Sequence, residues 1–515
     1  MHKKMLLPFL MLLVIFTTAC TAGTAGDEES KSSGGKSSKK NNVVIGIEAD
    51  AATLLANTDV NYITDVQIRN IYDPLIKRNP ETGGFEPALA TEWKNIDEYT
   101  WEITLRKDVK FQNGDPFNAE AVKFNIDYIL DKKNNSTYLS RWADIKEVKV
   151  IADDKVQIIT SKPFPTMIAR IADDLLIMDP GNVKKLGLEE AAKNPVGTGP
   201  YKVKEWVRDD HLTLIANDDY WKGKPSIKEA TFRYIPEFSS RLSAFLSGEI
   251  DLFKNIPVDS LDNVKNNENS KVESIGSSRV NYLALNTLHK GPLQNQKVRQ
   301  AINYAVDVDE LLKTVLNGNG TKMTGPLSKI NADYVETKDY GYNPDKAKEL
   351  LKEAGYDPKD LKLTLDTPNG RYPMDSQVAQ AIAAQLKRIG IDVKVQVNEW
   401  GNHLTKIQQR KAGDMFILGW GPTFDAQSTI QNLFMKDAPY SGFYDSEVEK
   451  AIQKAIPIFN QDKRKQAFGE IQQLLVDQAA WVPLWQQADL YAVNKNLDFK
   501  PKVDESMQVF DMGWK

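Results

Sequence analysis

The stretch "LKLTLDTPNGRYPMDSQVAQAIAAQLKRIGIDVKVQVNEWGNHLTKIQQRKAGDMFILGWGPTFD" (residues 361–425) decides the fold. Leu361, Leu363 and Leu365 alternate with polar residues, the period of a strand. Val378, Ile382, Leu386 and Ile389 share one helical face, Asp375 reads as the N-cap, and Gly390 stops the helix. Ile391, Val393, Val395 and Val397 alternate again. "WGNHLTKIQQRKAG" reads as a helix and "DMFILGW" as a buried strand. Strand, helix, strand, helix, strand is a parallel three-strand unit, because parallel neighbours need crossover connections.

Arg371 stands in the loop after the first of these strands and Asp425 in the loop after the third. In an open parallel sheet both loops emerge at the carboxyl edge, where ligands bind. Tyr372, Trp400, Trp420 and Phe424 are placed to line the same crevice. One cation and one anion on one edge match a zwitterion such as a free peptide, its length set by the gap between them. Two plainer readings stand beside this one. Arg371 and Asp425 could pair with each other, or each could make a local contact, Asp425 as N-cap of the helix-like "AQSTIQNLF".

Upstream, "VRQAINYAVDVDELLKTVL" reads as one helix with Val298, Ile302, Ala305 and Val306 on a stripe, and "NPDKAKELLKEAGY" as another. Towards the start, "VVIGI" (43–47) is a buried-type strand, a helix falls around 59–70, and Glu81 to Gly84 form a hairpin turn. "YTWEITLRKDVKF" has strand period, Asn118 caps the helix "NAEAVKFNIDYIL", and "VKVIADDKVQIITS" is a second hairpin. "GTGPY" (197–201) precedes a strand, so it reads as a turn or hinge rather than a phosphate cradle.

The chain of 515 residues is long enough for two or three domains of about 100–200 residues each. With 66 basic against 70 acidic residues, the balance argues against a nucleic-acid or anionic-lipid binder. Four histidines and a single cysteine give no metal-ligand spacing. No P-loop, dinucleotide fingerprint or G-x-S-x-G elbow occurs, so no cofactor, metal or catalytic residue is expected. The first residues, "MHKKMLLPFLMLLVIFTTAC", have a basic start and an apolar run shorter than the ~20 residues of a spanning helix. Residues 1–19 read as an export signal. Cys20 ends that run in a pattern that resembles the lipobox of bacterial lipoproteins, with Thr17 where leucine is usual. Residues 20–42, small, polar and charged, read as a flexible tether behind a lipidated Cys20. The expected location is the outer face of a cell membrane, Gram-positive in type.

Several further blocks stand in one order: "IYDPLIKRNPETGGFEPALATEW", "TWEITLRKDVKFQNGDPFNAEAV", "NPVGTGPYKVKEW", "NDDYWKGKP", "RLSAFLSGEIDL", "VRQAINYAVD" and "YNPDKAKELLKEAGY". Together they resemble the solute-binding proteins of peptide and nickel ABC importers, over residues 43–495. The resemblance implies a type II periplasmic-binding-protein-like fold: two α/β lobes with a hinge, plus an extra inserted α+β domain. The implied division is lobe I from 43–79, 196–277 and 486–515, the insertion from 80–195, and lobe II from 278–485. It further implies a monomeric, non-enzymatic protein that closes on a solute and docks on an ABC permease. Peptide-binding relatives pair the ligand's α-amino group with an aspartate that matches Asp425, and its carboxylate with an arginine that matches Arg371. The aromatic "WGP" with "FD" also resembles the nickel-binding branch, and Tyr138 keeps an aromatic of that branch. Asn135 stands where that branch has an arginine, "ADDLLIMDP" has none, and "FMKDAPYSGFY" lacks its histidine. Capture of a nickel chelate or metallophore is therefore the second expectation, and surface signalling or adhesion the third.

Overall fold

The computed structural model describes residues 40–79 and 82–515. The expected export signal, Cys20 and most of the tether lie outside them, as does Glu81 of the expected hairpin turn. The elements that place the site are β1 (Asn42–Ile47), β2 (Ser270–Leu285), β3 (Lys362–Pro368), α1 (Asp375–Arg388), β4 (Asp392–Asn398), α2 (Trp400–Gln408), β5 (Met415–Trp420), α3 (Ala426–Phe434) and β6 (Trp481–Asn494).

β2 and β6 organise the molecule. They pair antiparallel along nearly their whole length, from Ser270 opposite Asn494 to Ala284 opposite Trp481. β5, β3 and β4 follow outward from β2, and Leu252–Lys254, β1, Glu229–Tyr234, His211–Ala216 and Tyr201–Val207 follow outward from β6. The result is a bilobed α/β molecule whose lobes are joined through the two long strands. Their register shifts twice, widely between Gly276 and Val280 and again between Asn281 and Tyr282. Ser277, Ser278 and Arg279 fill the wider of these gaps and are buried. A bulge at this point bends both strands where one lobe passes into the other.

The expected β-α-β-α-β unit is present. β3 pairs parallel with β4 along its length and parallel with β5 at Leu365 and Asp366. The apolar run of β5 has a direct cause. Met415 and Ile417 pack into one core with Leu283 and Leu285, while Phe416 and Leu418 pack into another with Tyr282 and Ala284. A strand buried on both faces needs apolar residues at every position rather than at alternate ones. On α1, Val378, Ile382 and Leu386 are fully buried. Each such side chain contributes about 1.5–3 kcal/mol relative to exposure.

Two local expectations are corrected. The helix expected through 298–316 is two helices, Gln296–Ala305 and Val308–Thr314. Asp307 breaks it by accepting a hydrogen bond from the Glu310 amide at 2.9 Å, which makes it the N-cap of the second helix. Asp375 is also not the N-cap of α1; Met374 holds that position, in the left-handed region at φ 55°. Asp375 instead folds its carboxylate back to accept from the amides of Gly370, Arg371, Tyr372 and Ser376 at 2.8–3.1 Å.

A separate antiparallel sheet, in the order Ala90–Asp97, Thr100–Leu105, Lys155–Thr160, Ile145–Ala152, carries the helix Ala119–Leu130, capped by Asn118 as expected. Trp101, Ile103 and Leu105 point into its core. This body reaches across to the β3–β5 lobe: Phe459 stacks on Trp101 with ring centroids 6.3 Å apart.

Candidate functional site

The loop after β5 is fastened to the hinge. Tyr372 donates its hydroxyl hydrogen to the Gly419 carbonyl at 3.1 Å, and the Thr423 amide donates to Ser278 Oγ at 2.9 Å. Gly421 takes φ 139°, and the peptide bond from Gly421 to Pro422 is cis. A Cβ at Gly421 would lie 2.7 Å from Arg279 Cα, so only glycine allows the loop to lie against the bulged strand. Gly421→Ala is expected to lower the unfolding free energy by about 1–3 kcal/mol through backbone strain, read by urea denaturation. A variant as stable as the parent would refute the close fit.

Asp425 ends this loop. Its Oδ1 accepts from the Ser428 amide at 2.9 Å, so it is the N-cap of α3. It also faces a basic wall. Arg78, Arg170 and Arg464 lie within its electrostatic reach. Arg78 is committed elsewhere: it forks onto Asp173 with two bonds of 2.7 Å and donates to the Gly83 carbonyl at 2.6 Å. Its guanidinium plane covers Phe424 at 4.5 Å. Arg170 and Arg141 both bind Asp174, at 2.9 and 3.0 Å. Tyr138 is buried beside them, and its hydroxyl is pushed up by burial and by the charges of Asp65 and Asp174.

Arg371 presents the opposite situation. Its guanidinium lies 5.3 Å from the Tyr372 ring centroid and 5.2 Å from that of Trp400, a cation–π cradle. Among the described residues no carboxylate pairs with it within 4.0 Å. Burial, and then the neighbouring Arg279, push its pKa down, though a guanidinium stays charged. Arg371 and Asp425 therefore do not pair with each other; each makes a local contact, Arg371 on Tyr372 and Trp400 and Asp425 as the cap. The Trp420 indole N–H, beside Tyr440 at 5.2 Å, is buried without an acceptor among the described residues.

Behind Arg371 lies a charge network the sequence did not suggest. Lys254 Nζ sits 3.1 Å from Asp489 and 2.7 Å from Glu505, and Arg279 sits 3.2 Å from Glu505. All four residues are at most 4% exposed. Burial pushes the Glu505 carboxyl up, but Arg279 and Lys254 outweigh it and bring it down to about 2. Asp489 is raised, by burial and by the adjacent Glu505. The network joins the strand Leu252–Lys254, the bulge in β2, the far part of β6 and the C-terminal segment.

Residues 84–442 match the model of the bacterial extracellular solute-binding proteins, family 5 (middle region). The chain belongs to this family. The family 5 protein is similar to the probable D,D-dipeptide-binding periplasmic protein DdpA of Escherichia coli, at 29% identity over 446 residues, covering 83% of this chain and 84% of the relative. It is nearly as similar to the nickel-binding periplasmic protein of the same organism, at 28% over 438 residues, 80% of this chain and 83% of the relative. Among solved structures it resembles the periplasmic binding protein DppA from Helicobacter pylori in complex with the peptide STSA. The TM-score is 0.78 and the identity 27%, over 92% of this chain and 98% of that one. This family 5 protein is thus an extracytoplasmic solute-binding protein of an ABC importer, with the importer's permease and a small solute as its partners. It binds its solute rather than transforming it.

Proposed function

We propose that this family 5 protein captures short peptides between its lobes, with Arg371 receiving the ligand's carboxylate and Asp425 its α-ammonium. The observation that carries the reading is Arg371, without an ion-pair partner among the described residues and held on Tyr372 and Trp400 at the carboxyl edge of β3. A half-buried cation without a counter-charge is costly, and a ligand carboxylate supplies the missing partner. Asp425 uses one oxygen for its cap, which leaves the other to accept from an ammonium. Trp420, Phe424, Tyr372 and Trp400 line the path between them, and Tyr138 stands in the wall opposite.

The departures at Asn135, in "ADDLLIMDP" and in "FMKDAPYSGFY" support a peptide over a nickel chelate. In place of a cation, "ADDLLIMDP" brings Asp173 and Asp174 to the wall, already holding Arg78, Arg141 and Arg170. The proposal includes the division into lobe I (43–79, 196–277, 486–515), insertion (80–195) and lobe II (278–485). It also includes anchoring of a monomer through lipid on Cys20 at the outer face of a Gram-positive membrane.

Asp425→Asn separates the two roles of this residue. Asparagine caps a helix about as well as aspartate, so unfolding stability should move by only a few tenths of a kcal/mol. The charge is lost, so calorimetric affinity for di- to tetrapeptides should fall at least tenfold. Binding of nickel with histidine, and no peptide binding, would overturn the reading.

A further inference from the structure

The Arg371 loop carries a second feature, three residues on. Met374 packs simultaneously on two hydrophobic cores: that of Leu365, Val378 and Ile382 in its own lobe, and that of Phe253 and Leu490 in the other. It does so from the left-handed backbone region, φ 55° and ψ 30°, which a methionine adopts only when its surroundings impose it. What imposes it is Asp375, whose carboxylate gathers the amides of Gly370, Arg371 and Tyr372 and fixes the loop's path. One rigid loop therefore carries both the arginine and a side chain that fills the junction of the lobes beside it.

We infer that Met374 is a specificity-determining residue that sets the carboxyl end of the ligand chain. This inference rests on the peptide reading above. A peptide whose last carboxylate meets Arg371 ends before the plug. A longer chain held by the same arginine through an internal carbonyl would continue into the junction, where Met374 already occupies the space between the cores. The plug also makes closure and carboxylate capture a single event, because the loop that holds the cation is the one that seats on the opposite lobe. The methionine side chain suits this duty: unbranched and polarizable, it fills irregular gaps and slides out of them again.

The test is calorimetry of the full-length protein and of Met374→Gly with free-ended peptides of two, three, four, six and eight residues. Glycine takes φ 55° freely, so the loop path is kept while the plug is removed. Met374→Asn, which also accepts the left-handed region, is the second plug-free variant should the glycine one fail to fold. The parent should show a sharp fall in affinity with length. In the plug-free variants the longer peptides should gain tenfold or more relative to the dipeptide. Met374→Leu, close to volume-conserving, should keep the parent's profile. Superimposable length profiles for parent and plug-free variants, with dipeptides bound in each, would overturn the inference while leaving the peptide reading intact. Failure of every peptide to bind the parent would overturn both.

Discussion

Glu505→Ala is expected to lower the unfolding free energy by about 3–5 kcal/mol, the usual cost of removing one partner from a buried ion network. Glu505 is 2% exposed, and its carboxylate contacts both Lys254 and Arg279. Without it, two buried cations share only Asp489, and Arg371 is close enough to feel the excess. Urea unfolding at pH 7 measures the cost, and a loss below 1 kcal/mol would show that the network is not the hinge's main fastening. Acid gives an independent reading. The folded-state pKa of Glu505, about 2, lies below the unfolded value of ~4.3. Its contribution is therefore present above roughly pH 4 and lost as pH falls towards 2. Asp489 shifts the other way, so its share grows as pH falls and cannot produce that acid limb. Glu505→Gln should flatten the stability profile between roughly pH 4 and 2 relative to the parent.

Arg371→Ala is expected to weaken peptide binding by about 2–5 kcal/mol, at the low end roughly 30-fold in Kd. The loss comes from the ligand's carboxylate, which is left desolvated against two aromatic rings with no cation. Arg371→Lys should recover only part of it, because an ammonium offers no planar fork for a carboxylate. Stability should not suffer in Arg371→Ala: among the described residues the guanidinium has no carboxylate within 4.0 Å to abandon, and removing it relieves its repulsion with Arg279. The combination of weaker binding with equal or higher stability is the signature of a residue kept for its ligand. Equal affinity in parent and variant would remove Arg371 from the site.

The elements read from the sequence were those with local causes. β3, α1, β4, α2 and β5 announce themselves by period, and the placement of Arg371 and Asp425 at one edge follows from that order alone. Asp425 as N-cap was also legible, from the small polar turn before an amphipathic run. The break at Asp307 does have a local signal: an acid followed three residues later by Glu310 is a helix-start pattern inside what reads as one continuous stripe. The charge network had none. Lys254, Arg279, Asp489 and Glu505 are spread over some half of the chain, and no periodicity links residues brought together only by the tertiary fold. Met374 was equally silent, since its backbone state is dictated by a carboxylate one residue on rather than by its own preference.

The C-terminal segment closes the molecule on its beginning. Asn70 accepts from the Val509 amide at 2.8 Å, and the Trp514 indole donates to the Asn42 carbonyl at 2.9 Å. These contacts join residues more than four hundred positions apart, and Glu505 lies on the same segment. Such separations make folding slow, because the loop-closure entropy is met before the contacts that reward it. On a ribosome, the Asn42 carbonyl and the hinge network wait for residues 505–514 before their contacts are complete. The junction of the lobes is therefore the last part of the molecule to close, after its main sheet has its strands.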